Sequence, residues 1–190
     1  MKNKKIIALV MCFTMLLSVL PMVGVNADDD EVTILAASDF QANSGNSSSM
    51  SNMKSILTQV KADGTKSVDG FFFCGDYDVD TYGDIPSTKD GIKYLKLALS
   101  GMVSDKNMVL VQGNHDAPAG SVDGISPSGN NDPKNGKYGV YVIHEADYMW
   151  YNNDETTIKR TAEKLIRYLN EKLAEGYDKP IFVLSHLPLH

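Results

Sequence analysis

The stretch Met108–Asp116, which reads Met-Val-Leu-Val-Gln-Gly-Asn-His-Asp, decides the fold of this chain. Its first residues, Met108–Val111, form an apolar run typical of a buried strand. Asn114, His115 and Asp116 follow where that strand is predicted to end, and they place an amide oxygen, an imidazole and a carboxylate on consecutive residues. Because these groups suit divalent metals and proton transfer, the stretch predicts a sheet with a functional site at a strand end.

Three further apolar runs end in polar residues of the same kinds. They are Thr33–Ala37 before Ser38-Asp39-Phe40-Gln41, Phe71–Cys74 before Gly75-Asp76, and Ile181–Leu184 before Ser185-His186. Open α/β sheets bind ligands in the crevice beyond the carboxyl ends of their strands, so these segments are predicted to meet. Carboxylate, amide and imidazole groups together suit a pair of divalent metal ions.

Strand-like runs alternate with helical ones along the chain, which predicts an α/β fold. Apolar residues recur at helical spacing over 53–60, from about residue 88 to residue 102, and over 156–174. The apolar stripe of the last helix is predicted to pack in the core, and it consists of Ile158, Ala162, Leu165, Ile166, Leu169 and Leu173. No glycine-rich nucleotide loop opens a predicted helix, so a Rossmann or P-loop fold has no support.

Two connections and one further strand complete the pattern. Residues 41–49 are small and polar, which predicts a loop. Residues 117–137 are rich in Gly, Ser, Asn, Asp and Pro, which predicts a long loop that is either a flap over the site or disordered. Residues 138–143 alternate like a strand and are interpreted as part of an edge hairpin.

The first 27 residues have the pattern of a secretory signal peptide. A basic start at Met1–Lys5 precedes the apolar run Ile6–Leu20, and Val25-Asn26-Ala27 is a small-residue cleavage pattern. The apolar run has 15 residues, which is short of the roughly 20 that a spanning helix requires. We therefore expect cleavage after Ala27, secretion without a retained membrane anchor, and one domain over residues 28–190.

Removal of this leader makes the protein more acidic. The leader carries three lysines and no acidic residue, so residues 28–190 hold 15 basic and 24 acidic residues, a net charge of −9 with histidine neutral. A charge of this sign disfavours nucleic acid and anionic lipid as partners held by general electrostatics. Cys74 is the one cysteine that would remain, so no internal disulfide can form, and its place in a Phe-rich strand favours an inert thiol.

In their order along the chain, the four polar segments resemble the motifs of the calcineurin-like metallophosphoesterase family, and the resemblance extends from about residue 32 to residue 190. It implies a four-layer αββα sandwich of two mixed sheets that holds two divalent metal ions (Mn, Fe, Zn or Mg). It also implies hydrolysis of a small-molecule phosphoester, in which a hydroxide that bridges the metals attacks phosphorus in line. Monoester, diester, nucleotide and pyrophosphate substrates all remain open, as does the oligomeric state.

The resemblance assigns five metal ligands. Asp39 would bind the first metal, with Gln41 in the position of a further ligand, and Asp76 would bridge both metals because a carboxylate offers one oxygen to each. Asn114, through its amide oxygen, and His186 would bind the second metal. These residues are drawn from all four strand ends, so the resemblance and the strand-end pattern predict the same site.

The resemblance assigns the chemistry to the two residues that follow Asn114. His115 would face the substrate, where it would either protonate the leaving oxygen or stabilise charge on the phosphoryl group. Asp116 would hydrogen-bond the imidazole and fix its orientation.

Three departures from the family pattern bear on the metal site. Gln41 stands where the family has His, and since its amide is a poorer ligand, it would bind weakly or only hydrogen-bond a metal-bound water. Val79 stands where the family has a carboxylate, and Asp78 and Asp80 beside it could replace that function. The family's closing Gly-His-x-His segment has no counterpart before His190, so we expect a truncated or partial sequence and a sandwich that is incomplete at its C-terminus.

Other interpretations remain open from the residues alone. Asp39 and Asp76 could be turn residues after strands, His115 a surface histidine, and His186 a hydrogen-bonded histidine near the core. The protein could then be a catalytically inactive remnant of the fold. It could also be an extracellular binding protein that contacts its partner through residues 117–137.

Overall fold

The computed structural model of the chain describes residues 9–10, 31–39, 47–62, 67–77, 83–144 and 155–186. Within these ranges the chain forms two β-sheets, three α-helices and one short 3-10 turn. None of the helices in these ranges combines the length and the apolar character that crossing a membrane requires.

The first sheet is parallel throughout its described strands, which lie in the order β1–β2–β3–β4. The strands are β1 Leu9–Val10, β2 Ile34–Ala37, β3 Gly70–Phe73 and β4 Met108–Leu110. Strand β1 lies in the predicted leader, whose cleavage stays a prediction. Because parallel strands end at the same edge of a sheet, the segments that follow β2, β3 and β4 come together there.

The second sheet is mixed and has the order β5–β6–β7. Its strands are β5 Gly129–Asn130, β6 Gly139–Ile143 and β7 Ile181–Ser185. Strand β6 pairs antiparallel with β5, as a hairpin predicts, and parallel with β7. It is therefore central among the described strands, and only the edge position predicted for it is wrong. All five residues of β6 are buried, which explains why alternation alone misplaced it: a central strand is covered on both faces.

Three helices connect these strands: α1 Ser47–Ala62, α2 Ile85–Ala98 and α3 Glu155–Ala174. A 3-10 turn at Asp105–Asn107 leads into β4. Helix α1 begins inside the stretch predicted as a loop, and α2 begins before residue 88. The Asp84 carboxylate accepts the Ser87 N–H at 2.9 Å, and Pro86 occupies the first turn, so a capped start accounts for the earlier beginning of α2.

The core has three clusters that separate four layers. Phe71 and Phe73 of β3 lie in the cluster beneath α1 and α2, whereas Phe72 between them lies in the cluster between the two sheets. This alternation is the period-two signature of a strand. Tyr141 and Tyr168 belong to the third cluster, between the second sheet and α3. The order helix, sheet, sheet, helix confirms the predicted αββα sandwich, although the first sheet is parallel where it is described.

The predicted packing of the apolar stripe of α3 is confirmed for Leu165 and wrong for its other residues. Thr157, Leu165 and Tyr168 face the second sheet, whereas Leu173 is 77% exposed and Ile166 is 55% exposed. Ala162, Ile158 and Leu169 are also exposed. Helical spacing shows that these apolar residues share one face, but it does not show which face meets the sheet.

The inward face of α3 is held by a polar cluster around Asp132. The Asp132 carboxylate accepts the Tyr168 hydroxyl at 2.6 Å and the Val140 N–H at 2.8 Å, and Lys172 Nζ lies 2.6 Å from its other oxygen. Lys172 also lies over the rings of Tyr168 and Tyr177. Burial raises the pKa of Asp132, but the hydrogen bonds from Lys172, Tyr168 and Val140 outweigh burial, so the pKa is lowered overall.

Replacement of this carboxylate is expected to loosen α3. Asp132→Ala leaves the Tyr168 hydroxyl and Lys172 without their acceptor, so the free energy of unfolding should fall by about 2–3 kcal/mol near pH 7. Because the pKa of Asp132 is lower in the folded state, its carboxylate stabilises the fold fully at pH values above its unfolded pKa of 3.8. This stabilisation is lost as the pH falls through the pKa of the folded state. Urea unfolding should therefore show a difference in the free energy of unfolding between wild type and Asp132→Ala that is smaller at pH 3 than at pH 7. The exposed Asp123→Ala is the control, and equal stability of the two variants at pH 7 would contradict the assignment.

Residues 117–137 are a packed connection. Val122 is 3% exposed and lies in the core cluster beneath α2. Ser126 bonds twice to Leu110 of β4: its Oγ accepts the Leu110 N–H at 3.0 Å, and its N–H donates to the Leu110 carbonyl at 2.8 Å. The alternative that this segment is disordered is therefore wrong.

Candidate metal centre

The carboxyl ends of strands from both sheets meet at one place. Asp39 follows β2, Asp76 follows β3, and His186 follows β7. One ligand atom from each of these three side chains lies within 4.8 Å of the others, and they form a group that could hold a metal ion. Asp76 is 2% exposed and Asp39 is exposed, so the group runs from the interior to the surface.

The backbone at both aspartates adopts a conformation that most side chains avoid. Asp39 has φ = 56° and Asp76 has φ = 60°, in the left-handed region, and Gly75 between the strand and Asp76 has φ = 95°. Asp tolerates this region better than most residues do, because its short side chain can hydrogen-bond locally. The Asp39 N–H donates to the Gly75 carbonyl at 2.9 Å, so the two turns hold each other in place.

Glycine allows the ends of β3 and β4 to approach closely. A Cβ at Gly75 would lie 2.5 Å from the backbone nitrogen of Gly113. A Cβ at Gly113 would overlap the carboxylate and the backbone nitrogen of Asp76. The glycines of the Gly-Asp and Gly-Asn-His-Asp segments are therefore required by contact between the two segments.

His186 contributes an imidazole whose neutral tautomer is set by a backbone carbonyl. Its Nδ1 lies 2.7 Å from the Cys74 carbonyl oxygen, which can only accept, so Nδ1 carries a proton and donates it. Its Nε2 lies 2.8 Å from Asn114 Oδ1 and 3.4 Å from Asp76 Oδ1. In the neutral imidazole, Nε2 then has a lone pair directed at two oxygen acceptors.

This convergence of lone pairs fits a bound cation. Three acceptor atoms at close range repel one another unless a proton or a metal ion lies between them. Ligand atoms around a single small divalent ion stand about 3 Å apart, similar to the spacing of Nε2 and Asn114 Oδ1. Donation of the Nδ1–H of His186 to a backbone carbonyl is also the usual support of a histidine that binds a metal through Nε2. The side chains present therefore fit a divalent metal.

Asp116 holds the segments of the site together. Its carboxylate accepts three backbone N–H groups: those of Asp76 at 2.8 Å, Tyr77 at 2.7 Å and Gly113 at 2.7 Å. Burial raises the pKa of Asp116 to about 6, against the lowering effect of these hydrogen bonds, and the nearby charge of Asp76 also raises it. The predicted contact with the His115 imidazole stays a prediction.

His115 has its backbone fixed on both sides. Its N–H donates to Asp76 Oδ1 at 3.1 Å, and its carbonyl accepts the Gly83 N–H at 3.0 Å. His115 is partly buried. Its predicted role toward a substrate stays a prediction.

The structure thus brings together Asp39, Asp76, Asn114 and His186 of the predicted ligand set. Gln41 lies outside the described residues, as do Asp78, Val79 and Asp80, so their part in the site stays a prediction. Sequence reasoning missed Tyr77, which is fully buried and donates its hydroxyl to the Val111 carbonyl at 3.1 Å, packing under the site. In the sequence, its position directly after Gly75-Asp76 is the one feature that could have indicated a place near the site.

Comparison with known proteins gives one family. The family model described as calcineurin-like phosphoesterase matches residues 32–190. The matched span begins just before β2 and includes all four strand-end segments. A search of curated proteins found no match.

Proposed function

We propose that this chain, which belongs to the calcineurin-like phosphoesterase family over residues 32–190, is a secreted enzyme that hydrolyses small-molecule phosphoesters with the help of two divalent metal ions. Family membership supports metal-dependent phosphoester hydrolysis. The leader pattern of residues 1–27 supports secretion.

The observation that carries the proposal is the meeting of Asp76, Asn114 and His186. They come from three strands of two sheets, yet His186 Nε2 lies 2.8 Å from one side-chain oxygen and 3.4 Å from the other. Around a neutral His186 imidazole, a bound cation accounts for the three acceptor atoms that face one another. Asp39 completes a group with a net negative charge suited to a cation.

Different side chains would bind the metal ions and transfer the proton during hydrolysis. Asp76, Asn114 and His186 would hold one ion, and Asp39 would hold the second with Asp76 as the shared ligand. When bound, the ions neutralise charge on the phosphoryl oxygens and lower the pKa of a water. The buried carboxylate of Asp76 keeps its orientation because it accepts the His115 N–H. His115 would then pass a proton to the leaving oxygen as water attacks phosphorus in line.

A metal-dependence assay tests the proposal. The chain is expressed with its leader and collected from the medium, where we expect a product that starts at Asp28. Hydrolysis of an aryl phosphate monoester and diester is expected after loading with Mn²⁺ and should fall to background with a chelator. Addition of Mn²⁺ or Zn²⁺ should restore it. A folded protein that hydrolyses neither ester with Mn, Zn, Fe or Mg would contradict the proposal, and retention in the cytoplasm would contradict secretion.

A further inference from the structure

We propose that His144 is a positioning residue for the metal centre: it ties the segment 112–116, which carries Asn114, to the sheet that carries His186. This inference rests on the function proposed above. His144 itself contacts neither the substrate nor the metal, and it acts through the backbone of Gln112.

The position of His144 places it beside the site. It follows β6 directly, and β6 pairs with β7 so that Ile143 lies opposite Ser185. His144 and His186 are therefore the first residues beyond the same pair of strand ends. His144 is 2% exposed, whereas histidine is on average a residue of intermediate burial.

The hydrogen bonds of His144 fix one neutral tautomer. The Gln112 N–H can only donate, and it lies 3.2 Å from Nδ1, so Nδ1 is the acceptor. The Ser126 carbonyl can only accept, and it lies 2.7 Å from Nε2, so Nε2 carries the proton. Both ring nitrogens are thus assigned by backbone groups whose roles cannot reverse.

The hydrogen bond from Gln112 to His144 holds the start of segment 112–116, which carries the proposed metal ligand Asn114. Gln112 directly precedes Gly113, and its own side chain accepts the Ala119 N–H at 2.8 Å. Further along the segment, Asp116 accepts the Gly113 N–H and Asp76 accepts the His115 N–H. Those two partners follow strands of the first sheet, whereas His144 follows a strand of the second.

This cross-sheet link matters because the ligands come from different sheets. Asn114 follows β4 of the first sheet and His186 follows β7 of the second, and their ligand atoms lie 2.8 Å apart. A shift of one sheet end against the other changes that distance directly. The Cys74 carbonyl holds His186 to β3, and His144 holds Gln112 to β6, so the two bonds together fix the spacing.

Two substitutions separate the two bonds of His144. In His144→Asn the amide oxygen replaces the Nδ1 acceptor for Gln112, and the bond to Ser126 is lost. In His144→Gln the amide nitrogen replaces Nε2 as the donor to the Ser126 carbonyl, and the Gln112 N–H loses its acceptor. Each variant loses one hydrogen bond of a buried side chain, so a purely structural role predicts the same effect for both.

Mn²⁺ titration by calorimetry is the test, with urea unfolding of each metal-free protein as the stability control. We expect His144→Gln to weaken Mn²⁺ binding by about 10–100-fold, as loss of supporting residues does at metal sites, and His144→Asn to weaken it less than about tenfold. Backbone amide exchange by NMR should show reduced protection of the Gln112 N–H in His144→Gln and retained protection in His144→Asn.

The outcomes separate this inference from the proposed function. Equal Mn²⁺ affinity and equal Gln112 protection in the two variants would overturn the positioning role while the proposed function stands. A wild-type protein that binds no Mn²⁺ would overturn the proposed function, and the amide exchange would then still decide whether His144 fixes Gln112. Weaker binding in His144→Asn than in His144→Gln would show that Ser126, and not Gln112, is the partner that matters, and would also overturn the inference.

Discussion

Asp76→Asn is expected to reduce kcat/KM by about 10³-fold or more, because a carboxylate that bridges the two proposed metal ions would supply several kcal/mol of charge stabilisation. The amide has nearly the same shape, so the backbone N–H of His115 keeps an acceptor at this position. The change therefore removes charge and one anionic ligand oxygen while it leaves the turn in place. Metal content measured on the purified variant should fall together with activity.

Asp69→Asn is the matched control for this substitution. Asp69 directly precedes β3, at the opposite end of the strand from Asp76, and it bonds to the Thr33 N–H and to Lys137. Its replacement should lower the free energy of unfolding while kcat/KM and metal content stay near wild type. If Asp76→Asn kept wild-type metal content and activity, Asp76 would not be the bridging ligand.

His115→Gln is expected to reduce kcat by about 10²–10⁴-fold, the usual contribution of a general acid, with Mn²⁺ affinity unchanged. The backbone bonds of His115 to Asp76 and Gly83 do not involve its side chain, so the segment should keep its place. The loss should therefore appear in kcat and not in metal binding.

The leaving group separates the two possible roles of this imidazole. A general acid matters little for 4-nitrophenolate, which leaves without a proton, and matters greatly for an alkoxide. A defect that is larger for a methyl ester than for a 4-nitrophenyl ester indicates proton transfer, and an equal defect for both indicates charge stabilisation of the phosphoryl group. Wild-type kcat for both esters would remove His115 from the chemistry.

The strand ends were predictable because two patterns coincide there. An apolar run marks each strand, and Asp39, Asp76, Asn114 and His186 each follow shortly after one run. The meeting of the first three follows from the parallel order of the first sheet. The family resemblance supplied the pairing of sheets, which no single run reveals. The glycines of the motifs were visible, but their cause, the contact between Gly113 and Asp76, required coordinates.

Other features could not be predicted because they depend on contacts far apart in the sequence. Helix α3 turns Tyr168 toward the second sheet, where Asp132 from a distant loop accepts its hydroxyl. The binding of three N–H groups by Asp116 depends on the mutual position of two turns. His144 belongs to no recognisable sequence motif. Its proposed positioning role depends on the approach of the end of β6 to the end of β4.

Anomalous diffraction at the manganese edge, from crystals of the protein grown with Mn²⁺, tests the metal centre most directly. A peak is expected between the ends of β3, β4 and β7, at about 2.0–2.6 Å from oxygen or nitrogen atoms of Asp76, Asn114 and His186. A second peak is expected on the side of Asp39. Crystals in which these strand ends are ordered and carry no anomalous density, or in which Mn²⁺ binds elsewhere, would contradict the metal-dependent function.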